Sequence, residues 1–245
     1  MAKPTIILVH GAWHGSWCWV NVVEALEADG FDAVAVDLPG RTPGSSKRIW
    51  NRMSSYVDSV DDAVAQVAGE VVVVGHSMGG YVVQRVLERR TVSAGVLVAS
   101  VPRKGAVGAS LRFAREDPKQ FLEANAALSL WPFVANDDLV RQRFFGASTD
   151  DAVVAAAGSK LQNESYPAYL AMLARWPRPA QIDTPVHVVA ASDDAVFTLD
   201  EQHDLARAYG HGEPVVLNGG HDLMLEPVWP ELVAKIVAVA SGVNA

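Results

Sequence analysis

Cysteine and long hydrophobic runs are scarce in this 245-residue sequence. Cys18 is its only cysteine, which excludes a disulfide within the chain and favours a reducing compartment, so we expect a cytoplasmic protein. A membrane-spanning helix needs about 20 consecutive apolar residues, and no stretch of the sequence approaches that length. We therefore expect no membrane partner.

Positive charge is also in short supply. The 20 lysine and arginine residues are outnumbered by 28 aspartate and glutamate residues, which leaves a formal net charge of −8. Such a balance disfavours binding to nucleic acid and to anionic membranes. The sequence also lacks a His-Glu-x-x-His motif, a cysteine pair and a glycine-rich nucleotide-binding fingerprint. We therefore expect neither a metal nor an organic cofactor.

Apolar residues are plentiful, at 50% of the chain, and they suffice for the core of one large domain. Short apolar runs alternate with helical patterns, which predicts an α/β fold with a mostly parallel six-stranded sheet covered by helices on both faces. The predicted strands are residues 5–9, 31–36, 71–74, 95–99, 186–190 and 214–217. Residues 41–51 are rich in glycine, proline and serine and predict a surface loop.

The alternation stops between the fourth and fifth predicted strands, where the sequence shows only helical patterns. These patterns cover residues 118–128, 137–145, 150–160 and 166–174. An insertion at this point would lie at the carboxyl ends of the strands, where open α/β sheets bind ligands. The predicted division is therefore a core of residues 1–101 and 181–245 with a helical cap of residues 102–180.

A serine stands at a sharp turn between a predicted strand and a predicted helix. Four consecutive valines, residues 71–74, predict a strand that is buried on both faces, and residues 81–89 predict a helix. Gly75 and Gly79 flank Ser77 in the pattern Gly-x-Ser-x-Gly, the nucleophile elbow, where strand and helix backbones approach closely. A plain Gly-Ser turn is the alternative interpretation. The strand before it and the helix after it favour Ser77 as a catalytic nucleophile.

A catalytic serine needs a base that takes its proton and a third group that orients the base. His221 is the candidate base, because it alone among the histidines follows the last predicted strand directly; a solvated loop histidine is the alternative. The loop after the fifth predicted strand offers two acids, Asp193 and Asp194, of which only one can point towards His221. Asp222, next to the histidine, is interpreted as a local or solvated carboxylate.

An oxyanion hole needs two backbone N–H groups directed at the developing negative charge. Met78 follows the nucleophile at the beginning of its helix, and Ala12 lies on the loop after the first strand, so these two residues are the candidates. Aromatic side chains on that loop and in the predicted cap are candidates for the wall of a substrate pocket. With His14, the pocket candidates are Trp13, Trp131, Phe133, Phe144 and Trp176.

Three stretches together, residues 7–19, 75–80 and 221–225, resemble the α/β-hydrolase fold superfamily. They resemble in particular the methylesterase and hydroxynitrile lyase-like group and its bacterial esterase relatives. The resemblance implies a three-layer fold with a helical cap inserted after the fourth strand. In such proteins the acid commonly falls fourth in a Gly-x-x-Asp pattern after its strand. Residues 191–194 match this pattern with alanine in place of glycine, which favours Asp194.

Two positions distinguish this sequence from the lyases that it resembles. Those enzymes carry a threonine after the histidine of the first loop and a lysine after the catalytic histidine, where this chain has Gly11 and Asp222. A carboxylate would repel a developing cyanide, so lyase activity is not expected. Ser77 also excludes the haloalkane dehalogenase and epoxide hydrolase branches, whose nucleophile is aspartate.

The sequence thus predicts a serine carboxylesterase that acts on small to medium, apolar esters, with water as the second substrate. The triad would be Ser77, His221 and Asp194, with an acyl-enzyme as intermediate. Hydrolysis of lactones, amides or carbon–carbon bonds on the same triad remains an alternative. A small-molecule receptor that keeps the triad without using it is an alternative of another class.

Overall fold

The computed structural model describes residues 3–41, 50–210 and 212–242. Six strands form one parallel sheet in the order β2-β1-β3-β4-β5-β6. Their bounds are β1 Thr5–Val9, β2 Ala33–Val36, β3 Val71–His76, β4 Ala94–Val98, β5 Val186–Ala191 and β6 Val215–Leu217. The prediction of a six-stranded parallel sheet is confirmed. Most of the predicted surface loop, residues 42–49, lies outside the described residues.

Ten α-helices accompany the sheet in the part of the chain that the structure describes. Their bounds are α1 Val20–Ala28, α2 Met53–Ala65, α3 Met78–Leu87, α4 Val107–Glu116, α5 Pro118–Ala126, α6 Asp137–Phe144, α7 Asp151–Gly158, α8 Tyr166–Ala174, α9 Leu199–Ala208 and α10 Trp229–Ala240. Helix α3 begins directly after Ser77, three residues earlier than predicted, because two glycines of low helix propensity obscure its first turn. Each helix within 3–41, 50–210 and 212–242 is too short or too polar to cross a lipid bilayer.

The sheet is buried on both faces because successive residues of each strand point to opposite sides. Leu8 of β1 packs in one apolar cluster with Leu26 of α1 and Ile236 of α10. Its neighbour Ile7 lies in a second cluster on the other face, together with Val82 of α3. Two helical layers therefore enclose the sheet, and this explains why the strands read as continuous apolar runs.

Five helices, α4 to α8, lie between β4 and β5, and no strand occurs in residues 102–180, all of which are described. This segment is the predicted cap, whose bounds remain a prediction. Helices α5 to α8 lie within two residues of their predicted bounds. Helix α4 was not predicted, because its apolar face is narrow and only Ala109 and Phe113 of it are buried.

Close contact between backbones explains both glycines of the predicted elbow. A Cβ atom on Gly75 would lie 2.5 Å from the carbonyl oxygen of Gly79. A Cβ atom on Gly79 would lie 2.3 Å from the carbonyl oxygen of Val9 and 2.5 Å from that of His10. A Cβ atom cannot lie so close to a carbonyl oxygen, so only glycine fits at either position. The contact places the beginning of α3, and Ser77 before it, against the loop that follows β1.

We expect Gly79→Ala to lower the free energy of unfolding by about 3 kcal/mol or more, because the added methyl group meets main-chain atoms that cannot move aside. Urea unfolding followed by circular dichroism measures the change. Gly212→Ala is the matched control, since a Cβ atom there has no neighbour within 4 Å. Equal stabilities of the two variants would contradict this account of the elbow.

Candidate active site

Ser77 occupies the turn between β3 and α3 in a backbone conformation that side chains rarely adopt, with φ of 52° and ψ of −118°. Its backbone is held by the end of β4. The Ser77 N–H donates to the carbonyl oxygen of Val98 at 3.0 Å, and the Ser77 carbonyl oxygen accepts from the N–H of Val101 at 3.2 Å. The strained turn therefore sits at the carboxyl edge of the central strands, as in a nucleophile elbow.

His221 and Asp194 form a buried pair at the same edge of the sheet. The two carboxylate oxygens of Asp194 lie 3.0 and 2.9 Å from His221 Nδ1, and both side chains are almost fully buried. Asp194 Oδ1 also accepts hydrogen bonds from the backbone N–H groups of Val196 at 2.7 Å and Phe197 at 2.9 Å. Asp193, the alternative acid, is exposed and lies beside the hydroxyl of its neighbour in the chain. The structure thus brings Asp194 to His221, and not Asp193.

The environment of His221 favours its protonated form. Burial lowers the pKa of the imidazole, but the carboxylate of Asp194 outweighs burial, and the pKa lies above the ordinary value of 6.5. Because Nδ1 faces Asp194, Nε2 is the nitrogen left to exchange a proton elsewhere. Phe144 stacks on the ring at 5.9 Å between centroids, and Phe197 contacts it edge-on at 5.6 Å. These contacts hold the imidazole in one orientation.

A second layer of buried polar groups lies behind His221. Asp222 is fully buried rather than solvated, which corrects the interpretation from sequence, and its Oδ2 lies 2.9 Å from His14 Nε2. Burial raises the pKa of Asp222, but the nearby His14, His76 and His221 lower it more, and the net shift is downward. His76 Nε2–H donates to the carbonyl oxygen of His221 at 3.0 Å. Burial and the neighbouring His221 lower the pKa of His76 to about 3, so that its ring stays neutral.

His76, His221 and Asp222 are the described residues whose grouping could hold a metal ion, since their ligand atoms lie within 4.8 Å of one another. Their hydrogen bonds point to another role. His221 Nδ1 faces Asp194, His76 Nε2–H is bound to a carbonyl oxygen, and one oxygen of Asp222 is bound by His14. The group therefore supports the loop that carries His221.

A small cavity of about 60 Å³ lies beside Ser77, and both predicted oxyanion residues, Ala12 and Met78, line it. The rest of its wall is largely apolar and includes Val101, Phe113, Leu130, Phe133, Met172 and Phe197. The hydroxyl groups of Ser110 and Tyr169, which lie 2.9 Å apart, are the polar exception in this wall. The cavity is therefore suited to an apolar group held next to Ser77.

Two of the predicted pocket residues, Trp13 and Phe133, line this cavity. His14 lies in the layer behind His221 instead, and Phe144 packs on the His221 ring. Trp131 is partly buried against the apolar cluster and is not among the lining residues.

The prediction for Trp176 is wrong. Its side chain is 50% exposed and borders a different surface cleft, beside Arg103 and Lys104. Trp176 follows the end of α8, and its indole N–H donates to the carbonyl oxygen of Leu173 at 3.2 Å. The ring thus covers the end of a helix and is not among the residues that line the cavity at Ser77.

The model of a family described as "Alpha/beta hydrolase family" matches residues 6–234. Among curated proteins, the chain is similar to "Esterase PIR7B" of Oryza sativa subsp. japonica, with 42% identity over 106 residues that cover 40% of this chain and 39% of the relative. It is also similar to "Pyrethroid hydrolase" of Sphingobium wenxiniae, with 40% identity over 81 residues that cover 33% of this chain and 29% of the relative. The chain thus matches about two fifths or less of the length of these relatives.

Solved structures share the fold over nearly the whole chain. The crystal structure of a methylesterase from Arabidopsis superposes with a TM-score of 0.75 at 20% identity, and the match covers 98% of this chain and 100% of that one. A pyrethroid hydrolase from Sphingobium faniae superposes with a TM-score of 0.70 at 21% identity, over 97% of each chain. At these identities the likeness concerns the arrangement of helices and strands.

The raised pKa of His221 predicts how stability depends on pH. A group whose pKa is higher in the folded protein stabilises it below the unfolded value, about 6.5, and loses that effect as pH rises through the folded value. We therefore expect His221→Gln to destabilise the protein more at about pH 5.5 than at about pH 9. Urea unfolding of both proteins at both pH values measures this difference.

Asp194→Asn provides the control for this measurement. With the carboxylate replaced in both proteins, His221→Gln should no longer be more destabilising at the lower pH, because the charge that raises the pKa is gone and burial, which lowers the pKa, then dominates. A destabilisation that is the same at both pH values with Asp194 in place would contradict the role given to the pair.

Proposed function

The chain belongs to the alpha/beta hydrolase family, and on that premise we propose that it is a serine carboxylesterase that cleaves small to medium, apolar esters. One observation carries the proposal: His221 is paired through Nδ1 with the buried Asp194 at the strand edge where the strained turn presents Ser77. A buried acid that orients a histidine at the sheet edge where a turn presents a serine is the arrangement that activates a hydroxyl group as a nucleophile.

The first half of the proposed reaction forms an acyl-enzyme. His221 Nε2 takes the proton of the Ser77 hydroxyl, and the serine oxygen attacks the ester carbonyl carbon. Asp194 fixes the ring tautomer through Nδ1 and stabilises the imidazolium without taking the proton. When the tetrahedral intermediate collapses, the bond between the carbonyl carbon and the alcohol oxygen breaks, and the alcohol leaves with the proton from His221.

The second half restores the enzyme with water. His221 accepts a proton from a water molecule, whose oxygen attacks the carbonyl carbon of the acyl-enzyme. The bond to the serine oxygen then breaks, the acid leaves, and Ser77 regains its proton from the imidazolium. One base thus serves both steps, and no metal or organic cofactor takes part in either.

The oxyanion of each tetrahedral intermediate is assigned to the backbone N–H groups of Ala12 and Met78. Both residues line the same cavity as Ser77, which supports the assignment. Met78 is the first residue of α3, where N–H groups have no partner within the helix and the helix dipole favours negative charge. Backbone groups held in this way stabilise the developing charge without having to reorient during the reaction.

The choice of substrate is proposed from the cavity wall and from the relatives. The lining side chains favour an apolar acyl or alcohol group next to the scissile bond. The names of two similar curated proteins, an esterase and a methylesterase, support the cleavage of esters. Acyl transfer to water at an ester is therefore favoured over the other reactions that a serine triad can perform.

Replacement of Ser77 by alanine tests the nucleophile. We expect Ser77→Ala to lower kcat by about a million-fold, because the group that forms the acyl-enzyme is removed. A panel of p-nitrophenyl esters, methyl esters and lactones gives the rates, and mass spectrometry should find a fluorophosphonate probe bound to Ser77 of the wild type. A variant that keeps most of the activity, or a wild type that the probe does not label, would refute the proposal.

Separate replacement of the two neighbouring aspartates tests the acid. We expect Asp194→Asn to lower kcat by about 10⁴-fold, because the imidazole loses its orienting carboxylate. Asp193→Asn is the matched control and should keep most of the wild-type rate, since its side chain is exposed and accepts its hydrogen bond from Ser192. Similar losses in the two variants would contradict the assignment.

A further inference from the structure

A short segment of the cap, residues 162–165, holds the loop after β1 through one residue, Trp13. The backbone N–H of Trp13 donates to Glu164 Oε2 at 3.2 Å, and its carbonyl oxygen accepts from the N–H of Gln162 at 2.9 Å. Its indole N–H donates to the carbonyl oxygen of Leu130, also in the cap, at 3.3 Å. All the polar groups of Trp13 are thus bound by cap residues.

The carboxylate of Glu164 is fully buried and accepts hydrogen bonds from several parts of the chain. Oε1 accepts from the hydroxyl of Tyr56 in α2 at 2.8 Å and from the N–H of Ser165 at 2.6 Å. Oε2 is paired with the guanidinium of Arg41, which follows β2. A buried carboxylate is tolerated only when its oxygens are bonded in this way. The cluster can therefore form only when the cap is docked on the core.

Trp13 is directly next to Ala12, one of the two proposed oxyanion donors. The peptide unit between them is fixed at both ends, because the Ala12 carbonyl oxygen accepts from His14 Nδ1–H at 2.8 Å and the Trp13 N–H donates to Glu164. Trp13 also has a φ of 64°, a strained value for a large side chain. Without Glu164, the strained turn at Trp13 loses one of the bonds that hold it. Its relaxation would shift the adjoining peptide unit between Gly11 and Ala12, which carries the Ala12 N–H.

We propose that Glu164 is a positioning residue that completes the oxyanion hole. By binding the N–H of Trp13 it holds the strained turn next to Ala12, and with it the position of the loop that carries the Ala12 N–H, so that the hole is formed only while the cap is docked. This inference rests on the proposed esterase function. Its consequence is that docking of the cap and readiness for catalysis are coupled through the hydrogen bonds of Trp13, of which the bond to Glu164 lies next to Ala12.

Two variants of the same buried cluster separate positioning from stability. Glu164→Ala removes the acceptor of the Trp13 N–H, whereas Tyr56→Phe removes a donor to the other carboxylate oxygen and leaves that bond intact. We expect Glu164→Ala to lower kcat and the rate of fluorophosphonate labelling by about 10- to 100-fold, with a smaller change in KM. Tyr56→Phe should keep most of the wild-type rate. Both are measured well below their melting temperatures.

Glu164→Gln provides a second variant that conserves the shape of the side chain if Glu164→Ala does not fold. It has one acceptor oxygen instead of two, so we expect a loss of rate between those of Tyr56→Phe and Glu164→Ala. Two results would overturn the positioning role. One is a folded Glu164 variant that is labelled at the wild-type rate, and the other is a loss of kcat in Tyr56→Phe as large as in the Glu164 variants.

Hydrogen exchange of the wild-type protein tests the coupling without measuring activity. We expect the amides of residues 11–14 and 162–165 to exchange at similar rates, because the loop and the cap segment open together. A loop that stays protected while the cap segment exchanges would overturn the proposal. If the wild type hydrolyses no ester and takes no probe, the proposed function fails; if it is active and the variants do not differ, only the role of Glu164 fails.

Discussion

Contact between main-chain atoms at the end of β3 is the constraint on which the rest of the site depends. Because residues 75 and 79 carry no side chain, α3 begins in contact with the carbonyl groups of Val9, the last residue of β1, and of His10. That contact sets the height of Ser77 above the sheet and its distance from the loop that carries Ala12. The parallel order of the strands then brings the loops after β5 and β6, with Asp194 and His221, to the same edge.

The loop after β1 lies between two buried carboxylates that approach it from different parts of the protein. Asp222, on the core side, binds His14, and Glu164, on the cap side, binds the N–H of Trp13. Since neither carboxylate contacts bulk water, each is stabilised by the groups that it holds in place. The assembled fold therefore determines the conformation of this loop. Alone, the loop would favour other conformations, because its glycines are flexible and the positive φ of Trp13 is strained.

Local sequence patterns were sufficient to predict the strands and two of the candidate catalytic residues. Apolar runs predicted the six strands, and the Gly-x-Ser-x-Gly pattern between a strand and a helix singled out Ser77. The position directly after the last strand singled out His221. Asp194 needed the resemblance to a family as well, because its choice over its neighbour depends on how the loop folds back on its own N–H groups. Nothing local could indicate Glu164, whose partner Arg41 lies 123 positions away in the sequence. The burial of Asp222 was missed for the same reason.

The ion pair between Arg41 and Glu164 limits how the sequence can change over evolutionary time. Loss of either charge leaves the other buried without a counter-charge, which is far less favourable than loss of both. Substitutions at the two positions should therefore be found together in related sequences, with the residue at position 56 adjusting to the pair that is present. A lineage that replaces this cluster by apolar residues must hold Trp13 by other means, or give up the arrangement of the loop after β1.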